Sequence, residues 1–135
     1  MQHLPTVLLV DDDHTARYLA QRLLRSYTGR LRILTAENGQ EALDLLEQRA
    51  VEASPTLVLL DLNMPVLDGF EFLSFYTTWS AARRAAVKVV IVSSSERPDE
   101  QGRAAALGVP FESKPMTSDV MARVLHQQLG ELFVS

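Results

Sequence analysis

The stretch TLVLLDLNMPVLDG, residues 56–69, decides how the chain is read. Four aliphatic residues, Leu57 to Leu60, run without a polar break and stop at a carboxylate, Asp61. Asn63 follows two positions on, then Met64-Pro65, and the chain turns at Asp68-Gly69. An unbroken run of this length suits a strand covered on both faces, as in a parallel sheet flanked by helices. Packing gives such a strand no reason to end on a charge. Asp61 as an ordinary turn former fits poorly, because the turn residues lie further on. Asp61 is therefore a candidate for chemistry, and Asp68-Gly69 for holding the loop beside it.

Outward from this strand the same alternation repeats. Thr6–Val10, Leu31–Ala36, Val87–Val92 and Phe111–Ser113 read as strands. His14–Tyr27, Gln40–Ala50, Phe70 to about Ala82, Pro98–Leu107 and a last segment through Met121, Val124 and Leu125 to near Phe133 carry apolar residues at helical spacing. Asn38-Gly39 reads as a turn before the second helix, and Gly29 and Gly108 as helix stops. Strands separated by helices lie parallel, with right-handed crossovers that place helices on both faces. The expected fold is α/β, a doubly wound (βα)5 sandwich with a five-stranded parallel sheet in the order 2-1-3-4-5. Ligands in such sheets bind outside the carboxyl ends of the strands, at the switch point between strands 1 and 3.

Polar residues collect at that rim. The first strand ends at Asp11-Asp12-Asp13, the third at Asp61, the fourth at Ser93-Ser94-Ser95 and the fifth at Lys114-Pro115. Neighbouring first and third strands would bring Asp11, Asp12 and Asp61 together. Two carboxylates near 4 Å repel by about 4 kcal/mol at an effective dielectric of ~20, unless a cation lies between them. Oxygen ligands without sulfur or imidazole favour a hard ion, here Mg2+. Lys114 would neutralise a phosphoryl oxygen, the Ser93 hydroxyl would donate to another, and an Asp carboxylate would attack phosphorus to form an acyl phosphate. Asp13 reads instead as the N-cap of the first helix.

Composition narrows the classes. The 135 residues carry a net charge of −4, 47% hydrophobic residues and no cysteine. A net acidic domain lacks the basic stripe that nucleic acid requires. Without cysteine there are no disulfides, thiolate nucleophiles or zinc–sulfur sites. No apolar run is long enough for a membrane span, and the start MQHLPTVLLVDDD has no signal-peptide pattern, so a cytoplasmic setting is expected.

The strings VLLVDDDHTAR, LLDLNMPVLDG, VVIVSSS and FESKP, in this order at these strand ends, resemble the receiver domain of bacterial two-component response regulators. The match spans nearly the whole chain, read as one receiver domain over residues 1–135 with no output domain and a flavodoxin-like fold. The resemblance implies that Asp61 accepts a phosphoryl group from the phosphohistidine of a histidine kinase or a histidine phosphotransfer protein. Asp12 would be the more direct Mg2+ ligand and Asp11 would act largely through water. Asn63 would offer its backbone carbonyl to the metal and turn its side chain toward the attacking water in a slow autodephosphorylation. Ser93 matches the family's hydroxyl position and Lys114 its lysine, with a cis peptide before Pro115. Phe111 falls at the switch aromatic and lacks the hydroxyl often found there, and Met116 stands where Phe is common. Such a domain is a phosphoacceptor that catalyses its own phosphotransfer rather than a metabolic enzyme. It would signal to an unidentified downstream protein through the surface of the fourth helix, fifth strand and fifth helix. Nucleic acid and membrane are not expected partners, and the chain would be a monomer or weak homodimer.

Other assignments are weaker. A flavin-binding electron carrier needs a Ser/Thr/Gly phosphate loop after the first strand, where this chain has acids. A haloacid-dehalogenase-type phosphatase wants an Asp where Asn63 stands. A phosphorylation-independent binding module would have little use for the full set of acids and Lys114. His3, His14 and His126 lack metal spacing and read as surface residues. Phe70, Phe72, Phe75, Tyr76 and Trp79 crowd the third helix, and some should reach the surface near Trp79 as a candidate partner contact.

Overall fold

In chain order the elements are β1 (Thr6–Val10), α1 (His14–Leu24), a 3-10 turn (Arg25–Tyr27), β2 (Arg32–Ala36), α2 (Gly39–Gln48), β3 (Thr56–Leu60), α3 (Gly69–Tyr76), α4 (Ala81–Ala86), β4 (Val87–Ser93), α5 (Pro98–Ala106), β5 (Phe111–Ser113) and α6 (Ser118–Leu129). They come from a computed structural model that describes residues 4–48 and 54–130. His3 and the expected helix ends at Ala50 and Phe133 lie outside the described residues.

β1 and β3 are buried at every position, as their unbroken aliphatic runs require. They sit side by side at the centre of a parallel sheet in the order β2-β1-β3-β4-β5. Alternate residues serve opposite layers. Val7, Leu9, Leu57, Leu59, Val90 and Val92 pack with Leu24 of α1 and Met121, Val124, Leu125 and Leu129 of α6. Leu8, Val10, Val58, Leu60, Val89 and Ile91 pack with α2, α3 and α5 through Ala42, Leu46, Phe72, Leu73 and Ala104. Each buried Leu, Val or Ile in these layers contributes about 1.5–3 kcal/mol, which makes the sheet the rigid part of the molecule.

The helices start where side chains can satisfy free amides. Asp13 caps α1 by accepting from Thr15 and Ala16, as its position predicts. Asp68 and Glu71 form a reciprocal capping box at α3, Ser80 caps α4 and Thr117 caps α6. Pro98 opens α5.

Three expected elements differ. The first helix stops at Leu24 and tightens into the 3-10 turn, with Gly29 at φ 88° beyond it. The long third helix is instead α3 and α4, broken at Thr77–Ser80. The hydroxyls of Ser74, Thr77 and Thr78 donate back to the carbonyls of Glu71, Ser74 and Phe75, and Ser80 then caps a new helix. Such back-bonding competes with continuation of the helix, and helical periodicity does not register it. The helix expected at Pro98–Leu107 is therefore α5, and the last is α6. Gly39 is also the first residue of α2 rather than part of a preceding turn.

The β3–α3 loop is built against the end of β3. The Gly69 amide donates to the Leu62 carbonyl at 2.9 Å. A Cβ on Gly69 would lie 2.4 Å from the Asp61 carbonyl oxygen and 2.8 Å from the Leu62 Cα, both backbone atoms. Val66, 78% exposed, sits at φ 71°, where a β-branched residue is strained. Gly69→Ala is therefore expected to lower unfolding free energy in urea by about 2–3 kcal/mol, as overpacking does. Val66→Gly should raise it by about 0.5–1 kcal/mol, since relief of strain exceeds the added chain entropy.

Candidate functional site

The register of the sheet assembles the site. Val10 is level with Leu60, and Leu60 with Ile91. The ladder runs one step further, with Asp11 N–H donating to the Ala36 carbonyl and Asp61 N–H to that of Val10. Asp11 and Asp61 therefore leave the sheet side by side. Both are 8% exposed, and Asp12 beside them is exposed. Carboxylate oxygens of the three lie within 4.8 Å of one another. The convergence expected of Asp11, Asp12 and Asp61 is thus present.

Lys114 crosses the rim from the end of β5. Its Nζ lies 2.6 Å from Asp11 Oδ2 and 3.6 Å from Asp61 Oδ1. Its backbone N–H donates to the Ser93 carbonyl at 3.0 Å, and the Lys114-Pro115 peptide is cis. The second Asp11 oxygen accepts from the Asp13 amide, and Asp61 Oδ1 from the Leu62 amide, each at 2.9 Å.

These contacts set the electrostatics. Burial and the Asp11 charge push the Asp61 carboxyl up to about 6, against the pull of Lys114 and the Leu62 amide. Burial also works against the Lys114 ammonium, but its hydrogen bond to Asp11 and the charges of Asp61 and Asp11 hold it above the ordinary lysine value. The site thus carries more negative charge than its one ammonium relieves.

Ser93, at 1% exposure, ends β4 at the same rim. Its Oγ accepts from the Ser95 amide at 3.1 Å, while no acceptor for its proton exists among the described residues. A buried hydroxyl donor left without a partner costs about 1–3 kcal/mol. Asn63 is exposed, and its carbonyl takes no protein hydrogen bond among the described residues. Phe111 opens β5 and packs, half-buried, against the core. His14 and His126 are exposed, as expected. Trp79 is not an open surface. The Arg83 guanidinium covers its ring at 3.8 Å and the Tyr76 ring meets it edge-on. The exposed aromatic of α3 is Phe75, at 49%.

Arg17 was not expected at the site. Its side chain is 12% exposed, donates to the Asp11 carbonyl at 2.6 Å and lies 3.6 Å from Glu37 just past β2. It braces the backbone that carries Asp11. A cation one turn from a helix N-terminus, where anions are favoured, was the available signal.

The chain belongs to the response regulator receiver domain family, which matches residues 7–126. It is 32% identical over 127 residues to a probable chemotaxis protein CheY from Rhizobium etli, covering 93% of each chain. It is 39% identical over 93 residues to a protein-glutamate methylesterase/protein-glutamine glutaminase of Anaeromyxobacter dehalogenans, covering 69% of this chain and 24% of that protein. The chain therefore spans about a quarter of the length of that relative. Among solved structures it superposes on a two-component response regulator from Cytophaga hutchinsonii with a TM-score of 0.81 at 27% identity, covering 96% of this chain and all of the other. The sheet order and helices agree with that fold, and phosphoryl acceptance in signalling is the role that the family and the acidic cluster support. Electron-carrier and phosphatase assignments fall away. Among the described residues no helix is long and apolar enough to cross a membrane.

The raised Asp61 carboxyl has a thermodynamic signature. Between its ordinary value of 3.8 and about 6 the folded chain binds more protons than the unfolded one. Stability from this group is therefore greatest below pH 4, falls as pH rises through 6, and is flat above. In metal-free buffer Asp61→Asn should be more stable than wild type by about 1–2 kcal/mol above pH 6, allowing for solvent screening, with the gain vanishing below pH 4. Urea titrations at a series of pH values measure this difference.

Proposed function

We propose that Asp61 is the phosphoacceptor of a Mg2+-dependent signalling switch. The observation that carries this is the meeting of Asp11, Asp12 and Asp61 within 4.8 Å, with Lys114 bridging Asp11 and Asp61. A lone pair on an Asp61 oxygen forms the new P–O bond while the P–N bond of a phosphohistidine breaks, and the imidazole leaves with that electron pair. Lys114 offsets charge on one phosphoryl oxygen and Ser93 donates its unpaired proton to another. Both groups stand on strand ends, so little reorganisation accompanies the transfer.

The residues fit a hard divalent cation. All donors are oxygen, and Asp12 and the Asn63 carbonyl take no protein hydrogen bond among the described residues. Both Asp11 oxygens are engaged by Lys114 and the Asp13 amide, which supports Asp12 as the direct ligand and Asp11 as a ligand through water. When bound, Mg2+ supplies the positive charge that lets the three carboxylates and a phosphoryl group share the site. The exposed Asn63 side chain would face the water that slowly hydrolyses the acyl phosphate.

The phosphoryl donor is a histidine kinase or a histidine phosphotransfer protein, the partners of this family in general. The match over 93% of the Rhizobium etli relative supports a chemotaxis-type receiver, which we take to act in the cytoplasm as a monomer or weak homodimer. Drawing Ser93 and its loop toward phosphorylated Asp61 shifts the population between two packings of Phe111. A downstream protein then reads the changed surface of α5, β5 and α6.

Incubation with acetyl phosphate and Mg2+ should add one phosphoryl group by intact-protein mass. The adduct should be absent without Mg2+ and absent in Asp61→Asn, and Lys114→Ala should slow its formation by about 100-fold, as loss of an oxyanion donor does. An adduct that persists in Asp61→Asn would refute the assignment.

A further inference from the structure

The loop after β4 is stitched to α5 through a chain of side-chain hydrogen bonds that begins at Ser93. The Ser93 oxygen accepts the Ser95 amide at 3.1 Å. The Ser95 hydroxyl donates to the Glu100 carboxylate and accepts the Arg97 amide at 3.2 Å. Ser95 is thus tied at three points: to the residue that ends β4, to the first turn of α5 and to the residue that precedes that helix.

This arrangement replaces an ordinary cap. Arg97 occupies the N-cap position of α5 without a side-chain cap bond, and its guanidinium turns outward to pair with Asp99 at 2.9 Å. Glu100 is consequently not claimed by the neighbouring arginine. It reaches back to Ser95, which is half-buried. Ser94, between Ser93 and Ser95, is exposed and makes no side-chain bond among the described residues.

The consequence falls on the Ser93 proton. A hydroxyl has one donor and two acceptor lone pairs, and a fixed donor on one lone pair restricts where its proton can point. With the Ser95 amide held on the Ser93 oxygen, fewer directions remain open to the proton. No protein acceptor meets it among the described residues, although the side chain is 1% exposed. If Ser95 were loose, its amide would wander and the Ser93 hydroxyl would sample other rotamers.

We propose that Ser95 and Glu100 are positioning residues, which hold the Ser93 hydroxyl in the orientation that donates to a phosphoryl oxygen on Asp61. The role depends on Asp61 as phosphoacceptor, as proposed above. Neither residue touches the phosphoryl group; both act through Ser93. Glu100 also makes the first turn of α5 a direct mechanical neighbour of the reacting centre, so the helix that reports phosphorylation helps to prepare for it.

The test is the rate of phosphoryl uptake from acetyl phosphate with Mg2+, followed by intact-protein mass, with urea titrations run alongside to confirm folding. Ser95→Ala and Glu100→Ala should each slow uptake about tenfold, the scale expected when a catalytic donor is misplaced but not deleted. Glu100→Gln keeps a carbonyl acceptor for Ser95 and should restore most of the rate. In a Ser93→Ala background, Glu100→Ala should slow uptake by less than about twofold, because the group it positions is gone. An equal slowing by Glu100→Ala in both backgrounds would mean a general structural role and overturn the proposal. Normal uptake by wild type with unchanged rates in Ser95→Ala and Glu100→Ala would overturn the positioning role alone. Failure of wild type to take up phosphoryl at all would overturn Asp61 as acceptor, and this role with it.

Discussion

Three carboxylates meet at the end of a buried sheet, and one ammonium stands between two of them. The Lys114–Asp11 contact at 2.6 Å joins residues 103 positions apart, and the same ammonium lies 3.6 Å from Asp61. Without it, Asp11 and Asp61 would share a water-poor rim with uncompensated like charge. Burial, and after it the neighbouring Asp11 charge, raise the proton affinity of Asp61 to a value of about 6. The pairing is incomplete by construction: one cation serves three acids. The three acids form a cluster that could hold a metal ion.

The rest of the fold holds this geometry still. β1 and β3 are buried along their full length, so their ends cannot drift relative to each other. Arg17 grips the Asp11 carbonyl from α1, and the missing side chain of Gly69 lets the start of α3 lie against the Asp61 backbone. Ser93 is tied to Lys114 through the backbone and to α5 through Ser95 and Glu100. Asp11, Asp61, Lys114 and Ser93 are thus each anchored by an element other than the one that carries them. A change of charge at Asp61 reaches the end of β5 through Lys114, whose ammonium lies 3.6 Å from it.

Much of this was legible in linear order. Leu57 to Leu60 announced a central strand, and the carboxylate after it marked the rim, because no packing argument accounts for a charge there. Asp13 could be assigned to a helix cap from its position alone and serves as one, whereas Asp68, read as a turn residue, also caps a helix. The break between α3 and α4 was hidden, because hydroxyls that bond backward leave the apolar spacing intact. Arg17 was hidden as well. A cation on a helix reads as a solvated face until the fold shows that its guanidinium lies under the acidic rim.

The sequence by itself determined the alternation of strands and helices, their parallel arrangement and the residues at the strand ends, since these follow from periodicity and chain connectivity. It also supplied the family resemblance, through four short strings in order. Only the tertiary structure decided which oxygen meets which nitrogen: Lys114 nearer Asp11 than Asp61, Arg17 on the Asp11 carbonyl, Glu100 on Ser95. Such pairings depend on distances of a few ångströms between segments far apart in the chain. Sheet register and helix packing set those distances, and no local pattern encodes them.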